Sequence, residues 1–94
     1  MSNAEPNNSP IAKAGEIIKI DTIKNRARLC PNIDCDEGQE LLRIPTNTEL
    51  KVESSSKSRL PLWDVIWYKV TYKNKQGWVS EFNTDKAPKE PRYR

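Results

Sequence analysis

The chain has 94 residues, enough for one domain and too few for two. Its 16 basic and 13 acidic residues give a formal charge of +3, and the interspersed signs do not make the basic stripe of a nucleic-acid binder. No apolar run is long enough to span a membrane, and histidine is absent, which removes the Ser-His and Cys-His nucleophile arrangements.

Ser2-Asn3-Ala4 reads as a tag remnant, and Glu5 to Pro10 have linker composition. Residues 1–14 are therefore expected to be a flexible tether, with a lipid or membrane anchor upstream among the options. No signal peptide is visible. Gly15 opens the ordered part. Glu16 to Ile20 and Ala27 to Cys30 read as short strands, rich in β-branched or alternating residues. Pro31 to Gly38 is a loop by composition. Glu40 to Ile44 is extended, and Pro45 to Thr48 is a turn in which Asn47 suits positive φ. Glu49 to Glu53 alternates strictly, with Leu50 and Val52 on one face. Ser54 to Pro61 is expected to be a polar, mobile loop. Trp63 to Tyr72 is the longest strand candidate. Lys73 to Gln76 turns it into Gly77 to Ser80, forming a hairpin. Phe82 and Asn83 follow in a single helical turn. Residues 86–94 are expected to be a disordered basic tail, with Lys86, Lys89, Arg92 and Arg94 against Glu90 alone.

No segment keeps helical periodicity, and five or six closely spaced strands predict an all-β barrel or sandwich. The expected core is Ile18, Ile20, Leu29, Leu42, Ile44, Leu50, Val52, Ile66, Tyr68, Val70 and Val79. Alternation puts Ile66, Tyr68 and Val70 on one face of their strand and Trp67 and Lys69 on the other. Gly77 suits a bulge or a close strand approach.

Three blocks of sequence occur in an order that resembles bacterial SH3 domains. Trp67-Tyr68-Lys69-Val70, a short turn and Gly77-Trp78-Val79 resemble that family's closing strands. Ile44 to Val52 is similar to its segment of a hydrophobic residue, two residues, Gly-Thr and alternating valines, with Asn47 where the family has glycine. Ala27-Arg28-Leu29-Cys30-Pro31 sits where the family has a strand ending in Gly-Pro. The likeness covers residues 15–85. It implies a five- to six-stranded, partly open SH3-like barrel that binds peptides, peptidoglycan or protein partners within a larger envelope protein or assembly. Cys30, Cys35 and the long segment from Ser54 to Leu62 depart from the family pattern.

Trp63, Trp67, Tyr72, Trp78 and Phe82 are the candidate ligand-binding residues. They either line an aromatic groove or cap the ends of a small barrel, and Trp67 is the leading anchor because it faces away from the core. Cys30 and Cys35 close a short loop. A disulfide is the favoured reading, about 2 kcal/mol on the chain-entropy model, and it places the domain in the periplasm or at the cell surface. A free thiol pair is the alternative. Two cysteines without histidine leave a zinc site short of ligands, and this spacing is not that of a redox motif. Asp34, Asp36, Glu37 and Glu40 bunch around the loop, either solvated or steering a basic ligand group, without the spacing of a calcium loop.

No phosphate-binding glycine loop is present, since the glycines are Gly15, Gly38 and Gly77. The expectation is a non-catalytic envelope module, without cofactor or metal, that binds peptidoglycan or a peptide. The alternative is a structural subunit of an envelope assembly such as a secretion or conjugation system. An oligonucleotide-binding barrel is the third and least favoured option, because the charge is balanced.

Overall fold

The computed structural model describes residues 10–23 and 26–93. Among these, the chain forms β1 (Ile17–Lys19), β2 (Arg26–Leu29), β3 (Leu42–Pro45), β4 (Glu49–Lys51), β5 (Ser54–Arg59), β6 (Trp63–Tyr72), β7 (Lys75–Ser80) and β8 (Arg92–Tyr93). A 3-10 turn, Glu81–Asn83, follows β7, and the described residues contain no α-helix. The Ser80 hydroxyl caps that turn by accepting from the Phe82 N–H.

Every ladder is antiparallel. β1 pairs with β4 and β2 with β3, while β6 lies between β5 and β7 and takes β8 at its first residues. Single links join these pieces. The Glu53 N–H donates to the Lys69 carbonyl at 2.8 Å, and Cys30 and Trp78 exchange two backbone bonds, each 2.8 Å. The ladders form three open sheets, and the buried side chains gather in two clusters.

β6 is central because its sequence is β-branched and aromatic, without glycine or proline. Its inward set of Ile66, Tyr68 and Val70 meets Ile18, Ile20, Leu29, Ile44, Leu50, Val52 and Val79, all buried. Leu42 is half-buried against this cluster, and Ala12 and Ala27 complete it. The β6–β7 hairpin closes through Lys73 and Asn74, with φ of 49° and 66°. A two-residue turn with both φ positive matches the right-handed twist of the strands it joins. Asn47 sits at φ 73° in the turn before β4. At Gly77 an added Cβ would stand 2.7 Å from the Cys30 carbonyl oxygen, so only glycine lets the end of β2 approach β7 this closely.

Three expectations need correction. Ser54 to Arg59 is a strand, not a mobile loop, because it pairs residue for residue with β6 from Ser54↔Lys69 to Arg59↔Asp64. Composition reads serines as loop, but a ladder partner supplied from elsewhere overrides that weak preference. The proposed linker is docked by residue 12: Ala12 is buried, and its N–H donates to the Tyr68 hydroxyl at 3.0 Å. The rest of the linker, residues 1–9, lies outside the described residues.

The basic tail is also part of the fold. Arg92 is buried, and its Nε and Nη2 donate to the Glu81 carboxylate at 2.9 and 2.8 Å. Glu81 is fully buried and also accepts from the Ile66 N–H at 3.0 Å. Glu81 holds the Arg92 guanidinium above its ordinary pKa, mainly through these hydrogen bonds. A buried carboxylate needs such a partner, and the tail provides it. Arg94 is not among the described residues.

Candidate functional site

Val65, Trp67 and Lys69 lie on the outer face of β6, as alternation requires. That face is covered. Cys30 and Cys35 form a disulfide with Cα atoms 5.8 Å apart, and the loop it closes packs onto the sheet. Cys30, Cys35, Val65 and Trp67 make a second buried cluster, flanked by Ile33, Leu60, Trp63 and Trp78. The loop is also fastened to the neighbouring strand β5 by the Ser58 hydroxyl, which donates to the Asp34 carboxylate at 2.6 Å.

Trp67 is therefore only 8% exposed and is not an open groove anchor. Sequence alternation identified its face but not the loop that covers it. The Trp67 indole Nε1 is buried without a hydrogen-bond partner among the described residues. Trp78 is half-buried beneath the Lys69 ammonium, 5.8 Å from its ring centre. Trp63 is half-buried and meets Tyr93 edge-on at 6.1 Å. Tyr72 packs against the main core with Lys73 over its ring. Phe82 stands apart on the 3-10 turn, 40% exposed. The five rings thus do not make one groove: the three tryptophans belong to or flank the cluster that holds the disulfide, and Tyr72 and Phe82 lie elsewhere.

Among the described residues, an open concavity is formed by β2, β3, the 3-10 turn and the segment from Asp21 to Ile23. It is a cleft of about 530 Å³, lined by Arg26, Arg28, Arg43, Glu37, Ile23 and Phe82 among others. Ala27 and Leu29 of β2 point into the core, so Arg26 and Arg28 share the outer face. The register places Arg43 of β3 directly opposite Arg28. Sequence reasoning missed all three arginines. The Arg-x-Arg alternation was visible, but the register that sets Arg43 beside it was not.

Two of these side chains are held in place. The Arg28 Nη1 donates to the Cys35 carbonyl at 3.1 Å, tying the cleft wall to the disulfide loop. The Arg43 Nε donates to Glu40 at 3.0 Å. Glu40 also accepts from the Gly38 N–H at 2.7 Å. Its own backbone N–H, then Arg43, then the Gly38 N–H hold the Glu40 carboxyl below the ordinary carboxylate range. Arg26 makes no ion pair among the described residues. The acidic bunch is dispersed in use: Asp34 binds Ser58, Glu40 binds Arg43, and Asp36 and Glu37 border a recess beside Arg28 and Cys35.

No group of three or more metal-ligating side chains gathers among the described residues. No helix among them is long and apolar enough to cross a membrane. Comparison with protein-family models, curated proteins and solved structures finds no match for this chain.

Proposed function

We propose that this chain is a non-catalytic, SH3-like binding module of the bacterial cell envelope, and that it recognises an extended peptide. The observation that carries this reading is the open cleft against β2 and β3, where charged and apolar side chains converge on one concave surface. The barrel-like reading draws support from the cross-links between ladders, the tight Lys73-Asn74 turn and the close approach at Gly77. An envelope location draws support from the disulfide, a bond that persists in oxidising compartments.

Burial of Trp67 removes the leading aromatic anchor for either ligand, and the charged lining of the cleft carries the preference for a peptide. The alternative of a structural subunit in an envelope assembly draws on Leu62 and Tyr93, exposed just before β6 and in β8. The test is a displayed random-peptide library selected on the purified domain, beside co-sedimentation with peptidoglycan sacculi. Enriched peptides without pelleting support the peptide reading. Pelleting without enriched peptides replaces it with wall binding. Neither result leaves the subunit reading in possession.

A further inference from the structure

Like charges directly opposite each other across two strands destabilise the pairing. Arg28 and Arg43 are such a pair, and Arg26 adds a third positive charge to the same face. Glu40 and the Cys35 carbonyl each take one N–H from this group and fix where the remaining donors point. A guanidinium carries five donors in a planar fork that fits a carboxylate two-pronged. The arrangement leaves guanidinium donors on one face that an incoming anion can take up.

The rest of the lining narrows the anion. Asp21 and Glu37 sit on the same cleft, and Glu40 lies at its edge on Arg43. A uniform polyanion such as a nucleic-acid backbone would meet these carboxylates as well as the arginines. An isolated carboxylate within a chain of neutral or basic residues would not. Ile23 is 99% exposed and Phe82 40% exposed on the lining, so an apolar side chain next to the carboxylate has surface to cover.

We infer that the Arg26–Arg28–Arg43 cleft docks a segment of a partner protein in which an Asp or Glu stands beside an apolar residue. The carboxylate bridges Arg28 and Arg43, and the apolar neighbour lies on Ile23 and Phe82. This rests on the peptide-binding reading above and names the chemistry of its ligand. Because the disulfide loop positions Arg28 through Cys35, reduction is expected to weaken the same interaction.

The test uses clones enriched from the displayed random-peptide library, measured by titration against wild type, Arg28→Gln, Arg43→Gln and Phe82→Ala. Clones bearing Asp or Glu beside an apolar residue are expected, with either arginine variant binding them about ten- to a hundredfold more weakly. Affinity for the wild type falls with added salt. Each arginine variant gives up one contact, to the Cys35 carbonyl or to Glu40, while relieving the like-charge pair, so both melting temperatures are expected to stay close to wild type, which separates lost binding from lost folding. Enriched clones without acidic residues, or acidic clones that bind the arginine variants unchanged, overturn the cleft assignment and leave peptide binding standing. A library that yields no clone overturns peptide binding itself, and this inference with it.

Discussion

Replacing Arg92 with methionine tests whether the C-terminal strand belongs to the folded unit. The substitution keeps much of the aliphatic volume and removes the cation. Arg92 makes a two-pronged contact with Glu81, at 2.9 and 2.8 Å, and Glu81 is 0% exposed. Without it, the carboxylate keeps the Ile66 N–H and loses its counter-charge. Breaking a buried pair in this way costs about 3–5 kcal/mol. A domain of this length has a total stability of about 5–14 kcal/mol, so the loss is a large fraction. At about 4–8 °C per kcal/mol, the melting temperature should fall by at least about 12 °C. Thermal melting followed by circular dichroism measures this directly. Arg92→Lys keeps the charge but not the fork and should fall in between. Combining Arg92→Met with Glu81→Gln should recover part of the loss, since no buried charge is then left alone. A drop below about 4 °C for Arg92→Met would be the value of a surface ion pair. That result would refute the buried clasp and detach β8 from the domain.

The disulfide is expected to contribute about 2 kcal/mol. The Cys30→Ser, Cys35→Ser variant should show this loss in urea unfolding, together with red-shifted tryptophan emission as the loop lifts from Trp67. Gly77→Ala should cost about 1–3 kcal/mol by overpacking, because its Cβ would meet the Cys30 carbonyl oxygen and Leu29 at 2.7 and 2.9 Å; a wild-type denaturation midpoint would show that β2 does not press on β7. Burial pushes the Tyr68 phenol above its ordinary pKa of 10.0, with the nearby Glu81 charge adding to the shift. A raised value in the folded state means that its contribution is complete below the unfolded pKa and is lost as pH climbs through the folded one. Stability should therefore decline above pH 10, and Tyr68→Phe should flatten that decline in pH-dependent melting.

The β6–β7 hairpin was legible because alternation and β-branched density agree over Trp63 to Tyr72 and Gly77 to Ser80, and almost the whole expected core is buried, but the turn is Lys73-Asn74 alone, since Lys75 and Gln76 already pair with β6. Asn47 and Gly77 were legible because few residues tolerate positive φ or a close backbone approach. β5 was not, since a serine run has no pattern of its own and becomes a strand only against β6. The tail was misread because the need for Arg92 is set by a carboxylate whose burial no local rule reveals. The cysteine pairing followed from the short loop. What that loop covers depends on a contact between Cys35 and the outer face of β6, which spacing does not encode. The arginine cleft stayed hidden for a related reason: Arg28 and Arg43 become neighbours only once the β2–β3 register is set.

The way both flanks of the chain close onto β6 bears on the order of folding. Ala12 docks on Tyr68, and Arg92 and Tyr93 pair with Asp64 and Trp63. A nascent chain that has emerged only as far as Asn83 has made Glu81 but not its cation, and burying that carboxylate alone is strongly unfavourable. The Glu81 side of the sheet therefore settles only when β8, a short way further along the chain, brings the guanidinium to it. A chain cut after Asn83 is therefore expected to keep its strand pattern and lose the settled packing around Glu81, the two flanks acting as fasteners of a sheet they do not themselves build.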